Sequence, residues 1–158
     1  MVRYKHRYFL VEAERSRSVE NLTIDINPLE ATEDDIAKEI KNIVQDLHGD
    51  FGRASISSGF RVKYLNIATR VFLIRSRHGG PDKIISSSLP FIHNIRKENV
   101  VCRLLYTGAT MRKSFIYLEK RQKRRLGELV NLLRNKGKYN KEELEKSILE
   151  VRKFGNKY

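Results

Sequence analysis

Apolar side chains along this chain change their grouping in a fixed order: a short strand-like run, then every three or four residues, then an alternating run and a near-continuous one, then helical spacing again, then a last strand-like run. Alternation lays one face of a strand on a core, and recurrence near about 3.6 residues does the same for a helix. Strand, helix, strand, strand, helix, strand is an order that few topologies accommodate.

Residues 8–14 read as the first strand, followed by a polar stretch to Ala31 with a further extended piece at 22–24. Thr32, with Glu33, Asp34 and Asp35 behind it, is a helix N-cap whose acids lie at the positive end of the helix dipole. Ile36, Ile40, Ile43, Val44 and Leu47 share one helical face, and the helix is expected to end at His48-Gly49. Residues 54–64 read as a half-buried strand, with Ile56, Phe60, Val62 and Tyr64 on one side and Ser55, Ser57, Arg61 and Lys63 on the other. A turn at 65–67 leads into a central strand at 69–75, and the two strands are expected to pair as a hairpin.

Gly79-Gly80-Pro81 breaks the chain and opens a second amphipathic helix carrying Ile84, Ile85, Ser88, Phe91, Ile92 and Ile95, with a kink expected at Pro90. Residues 100–106 supply the fourth strand. The fold class is therefore α+β: an RRM-like or ferredoxin-like split βαβ (βαββαβ), with a four-stranded antiparallel sheet and additional C-terminal helices at about 111–135 and 141–154. Residues 1–135 are expected to form one domain and residues 136–158 a helical extension.

The chain carries 32 Lys and Arg against 19 Asp and Glu, a net charge of +13. The excess is lopsided: residues 1–50 hold 7 basic and 11 acidic side chains, residues 51–158 hold 25 and 8. Such a field points to a polyanionic partner. The densest cluster sets Arg112, Lys113, Lys120, Arg121, Lys123, Arg124 and Arg125 against Glu119 alone. On a helix, Phe115, Leu118, Gln122, Leu126, Leu129 and Leu133 fall on one docking stripe, with Lys113, Tyr117, Lys120 and Arg124 opposite. A merely solvated face mixes signs to avoid like-charge repulsion, and this one does not. Arg112, Lys113, Lys120, Arg121 and Arg124 are the expected contacts to an RNA backbone. Arg61, Lys63 and Arg70 of the hairpin form a secondary set beside Arg75 and Arg77, and Arg3, Lys5 and Arg7 form a third.

Conventional enzyme chemistry has little to build on. His6, His48, His78 and His93 are scattered without metal-ligand spacing, Cys102 is the single cysteine, and there is no Walker-type phosphate loop or nucleophile elbow. No catalytic residue and no protein-bound metal or cofactor is expected. No apolar run approaches the about 20 residues of a membrane span, and the basic N-terminus leads into a stretch too short for a signal peptide. The base-stacking signature of a typical RRM is absent: Gly59-Phe60-Arg61-Val62-Lys63-Tyr64 is similar to its start but lies on the second strand, not the third.

Five dispersed segments carry a resemblance. They are Met1-Val2-Arg3-Tyr4-Lys5-His6-Arg7-Tyr8, His48-Gly49-Asp50-Phe51-Gly52, Tyr64-Leu65-Asn66 before Thr69, Ser88-Leu89-Pro90-Phe91-Ile92, and Gly108-Ala109-Thr110-Met111-Arg112. In this order, over about residues 1–125, the chain resembles the Pop-five-type protein subunits of ribonuclease P and ribonuclease MRP. The family's Gly-Thr-Ile-Arg motif falls on Gly108, Thr110, Met111 and Arg112, with Met in place of Ile and Ala109 in place of a frequent Gly.

The resemblance implies a non-catalytic, RNA-binding subunit of an RNA-based endonuclease, with Gly108 and Thr110 joining the RNA-binding set. It implies magnesium on the RNA subunit rather than on the protein. The implied partners are ribonuclease P/MRP RNA, a TIM-barrel-like protein subunit of the same particle and its other proteins, with precursor tRNA met indirectly and no membrane. The particle matures the five-prime end of precursor tRNA, and its MRP relative processes precursor rRNA. The Met-Val-Arg opening resembles eukaryotic members, which implies a nuclear or nucleolar protein; an archaeal source would place it in the cytoplasm. The competing reading is a general or ribosomal RNA-binding domain with a ferredoxin-like fold. A stand-alone metal-dependent nuclease is a third.

Overall fold

The computed structural model describes residues 4–15 and 28–134. The chain divides into two compact units, residues 1–110 and 111–158. In the first unit the elements are β1 (His6–Arg15), α1 (Glu33–Ser57), β2 (Arg61–Asn66), β3 (Val71–Arg77), α2 (Gly80–Ser88), a 3-10 turn (Leu89–Phe91), β4 (Asn94–Ile95) and β5 (Glu98–Gly108). In the second, α3 spans Met111–Arg134. The helix expected at 141–154 and the 136–158 extension lie outside the described residues.

The strands form one antiparallel sheet in the order β2-β3-β1-β5-β4. Its alternating residues sort cleanly: Phe9, Val11 and Ala13 of β1, Phe72 and Ile74 of β3, and Val100 and Cys102 of β5 join Ile36, Ile40 and Val44 of α1 and Ile85 of α2 in one buried core. Burying each large apolar side chain contributes about 1.5–3 kcal/mol, which is what fixes α1 and α2 to a single face. A hydrogen bond between His48 and Ser87, 3.2 Å apart, joins the two helices at their rim. Of the predicted apolar face of α1, only Leu47 is left exposed.

Four expectations need correction. First, α1 does not end at Gly49 but bends there, at φ 63 and ψ −162, and continues to Ser57, so residues 54–57 are helical and not the start of a strand. Ile56 and Phe60 are four residues apart, a spacing that suits period two and period 3.6 equally, and the strand begins only at Arg61. Second, a bulge between Val62 and Tyr64 breaks the alternation of β2. Phe60, Val62 and Leu65 therefore face the helices, whereas Tyr64, buried as well, is not part of that core.

Third, the second helix stops at Ser88. Pro90 has no N–H to donate, and the 3-10 turn Leu89–Phe91 ends the helix outright instead of kinking it. Fourth, the sheet has five strands, because Asn94 and Ile95 pair with Asn99 and Glu98 across a two-residue turn. Arg96 takes the left-handed conformation there, φ 59, in place of the glycine or asparagine that usually announces such a hairpin.

Candidate nucleic-acid interface

β5 ends at Gly108, which is buried opposite Tyr8, and Ala109 and Thr110 are exposed before α3 begins. Ala109 is not in the left-handed region, since Arg70 and Arg96 are the only non-glycine residues there among those described. Alanine therefore substitutes for glycine at this position without backbone strain.

Along α3, Phe115, Leu118 and Gln122 of the expected stripe are buried and Leu126 is half-buried, with Ser114 buried beside them; the side chains of Leu129 and Leu133 lie outside those described. Arg112, Lys113, Lys120, Lys123, Arg124 and Arg125 are exposed, and Arg121 is half-buried. Lys123 is held by Glu119 one turn back, at 2.8 Å. Arg112, Lys120 and Arg124 have no carboxylate partner among the described residues, which leaves three full charges open to an incoming phosphate.

The hairpin set divides. Arg61 and Lys63 are exposed on the edge strand β2. Arg70 is 7% exposed and sits just before β3 in the left-handed conformation, with its guanidinium 2.8 Å from the Glu98 carboxylate. Arg15 approaches the same carboxylate at 3.6 Å. This predicted RNA contact is thus committed to an internal ion pair that ties the start of β3 to the start of β5.

Arg75 and Arg77 of the hairpin gather further groups around them. Arg75 lies opposite both Tyr8 and Arg61, and Arg77 lies opposite His6. Burial first, and then the charges of Arg75 and Arg77, push the His6 imidazole below its ordinary value of 6.5. Spacing alone could not show this, because α1 separates β1 from the β2–β3 hairpin in the chain.

Burial pushes the Cys102 thiol up to about 12, which keeps it protonated and unreactive. Among the described residues, no group of three or more His, Cys, Asp or Glu could hold a metal ion, and no helix is long and apolar enough to cross a membrane.

The profile of the Rpp14/Pop5 family matches residues 7–119, from β1 through β5 to the first turns of α3. The chain belongs to this family. Its relatives include the ribonuclease P/MRP protein subunit POP5 of Bos taurus, 31% identical over 152 residues and covering 94% of this chain and 84% of that protein. The Homo sapiens subunit is 30% identical, covering 94% and 87%, and the Danio rerio subunit 35% identical, covering 94% and 86%. Among solved structures, a chain in the cryo-EM structure of yeast ribonuclease MRP aligns with 70% of this chain and 78% of that one, at 16% identity and a TM-score of 0.46. Membership of the Rpp14/Pop5 family rests on the profile and the vertebrate sequences.

Proposed function

We propose that this chain is a protein subunit of the ribonuclease P/MRP ribonucleoprotein, an RNA-catalysed endonuclease to which it contributes RNA binding and no catalytic group. The observation that carries the proposal is the match to family members of that description over nearly the full chain. The cations of α3 supply a physical means: Arg112, Lys120 and Arg124, with Lys113 and Arg121 on the same helix, neutralise phosphates and release counterions. Arg61 and Lys63 add a second contact on β2, and Gly108 and Thr110 bring the strand-to-helix junction close to the RNA. The strand order β2-β3-β1-β5, with both helices on one face, supports reading the first unit as an RRM-like split βαβ with β4 added at the edge.

In this role the chain works beside other proteins of the particle, a TIM-barrel-like subunit among them, in the nucleus and nucleolus. Magnesium belongs to the RNA, and precursor tRNA or rRNA is the substrate of the assembled particle. Recovery of the tagged chain from its native source, with sequencing of the bound RNA, tests the assignment: ribonuclease P or MRP RNA is expected. Enrichment of unrelated structured RNAs instead favours a general RNA-binding domain.

A further inference from the structure

Outside α3, one corner of the sheet collects positive charge in an arrangement a folded chain does not favour for its own sake. On the face opposite α1 and α2, His6 is directly across from Arg77, and Arg61 directly across from Arg75. The Arg61–Arg75 pair sets two like charges in directly opposed positions, which is destabilising. Among the described residues no carboxylate pairs with any of the three arginines, although Glu98, Asp82 and Glu14 each hold a cationic or imidazole partner elsewhere in the same unit. Arg75 spends one N–H on the Gly59 carbonyl, at 3.3 Å, which fixes its planar fork and leaves the remaining donors free. Gly59 itself, at φ 90, lets the chain pass close over Arg77 and His6.

An aromatic ring completes the corner. The Arg77 guanidinium lies 4.0 Å from the centroid of the Tyr4 ring, and Tyr4 is 66% exposed, so the stack presents a flat surface to solvent. Planar aromatic and guanidinium surfaces beside clustered cations accept an unstacked base and the phosphate attached to it, whereas a paired duplex offers no free base face.

We propose that this corner is a binding site for a single-stranded RNA nucleotide, with the base stacked on Tyr4 over Arg77 and its phosphate held by His6, Arg61 and Arg75. It rests on the RNA-binding reading above and gives that reading a second site, selective for unpaired strand where α3 is not. The test is the affinity of the full chain for a short oligoadenylate, alone and paired into a duplex, at several salt concentrations. The single strand is expected to bind more tightly. Tyr4→Ala should weaken its binding about 5- to 100-fold with little change for the duplex, Tyr4→Phe should preserve it, and Arg61→Gln, which removes a phosphate contact, should lower the salt slope by about one. Equal affinity for the two forms, or a Tyr4→Ala chain with the full single-strand preference, overturns the site. Retention of ribonuclease P RNA, measured on the same samples, separates the two claims. Retained RNA with no Tyr4 effect overturns only this corner, while a chain that retains no such RNA overturns the assignment to the particle.

Discussion

The Arg70 guanidinium and the Glu98 carboxylate meet at 2.8 Å, with side chains 9% and 15% exposed, and join two strands that are not neighbours in the sheet. Little water reaches the pair to screen it, so removing one partner strands the other's charge. Arg70→Gln is expected to lower stability by about 1–3 kcal/mol, moderated by Arg15, which also reaches Glu98. Because Arg70 is occupied internally, the salt slope of RNA binding should not change. Chemical denaturation and a salt titration on the same variant check the two halves.

At the start of α1, Thr32 and Asp35 form a reciprocal cap: the Asp35 N–H donates to the Thr32 hydroxyl oxygen, and the Thr32 N–H and hydroxyl both donate to the Asp35 carboxylate. Thr32→Ala should cost about 1 kcal/mol. The Thr32 bonds, side chain first and backbone second, hold the Asp35 carboxyl below its ordinary 3.8. Asp35 thus contributes stability in full above that value, and the contribution is lost as pH falls through the lower folded value. The gap between wild type and Thr32→Ala is expected to shrink in acid, which urea melts at neutral and acidic pH will show.

The bend in α1 makes two glycines unequal. At Gly52 a Cβ would run into the Cβ of His48 and come within 3.3 Å of a Val44 methyl, and the His48 Cβ is fixed to the backbone and cannot swing away. Gly52→Ala is expected to cost about 1–3 kcal/mol. Gly49 has open space around it, but its φ of 63 with ψ −162 is a conformation other residues avoid, and Gly49→Ala should cost about as much through strain. Thermal melts measure both. Amide exchange distinguishes them, because Gly49→Ala should loosen residues 50–57 selectively.

How far the sequence could be read depended on whether each signal was local. The cap at Thr32, the apolar stripe of Ile36, Ile40 and Val44, and the buried face of α3 are repeats within one element, and they were readable. The bend at Gly49 was not, because a left-handed glycine ends a helix as often as it redirects one. The β4–β5 hairpin turns on Arg96 and Lys97, which carry no turn signature. At the interface, charge density on α3 was visible along the chain, but which arginines are free is a tertiary fact. Arg70 is withdrawn by Glu98, 28 residues later, while Arg75 and Arg77 have no carboxylate partner among the described residues.

Proton linkage gives the sheet corner its own signature. His6 lies opposite Arg77 of β3, beside the Gly59 backbone and in the field of Arg75 and Arg77; Arg61 lies across from Arg75, Tyr4 is stacked on Arg77, and no carboxylate among the described residues pairs with His6 or these arginines. In the free chain its imidazole is held below 6.5, so the unfolded chain binds the proton more readily. The chain alone should therefore be at full stability, as far as His6 is concerned, above about pH 6.5, and lose some as pH falls through the lower folded value. A phosphate at the corner reverses the local field and favours imidazolium, so binding takes up a proton and oligoadenylate affinity should rise as pH drops from 8 toward 6. His6→Gln should flatten that profile and leave the α3 contribution, read from duplex binding, as it was. A pH profile identical in His6→Gln and wild type would remove His6 from the phosphate's surroundings.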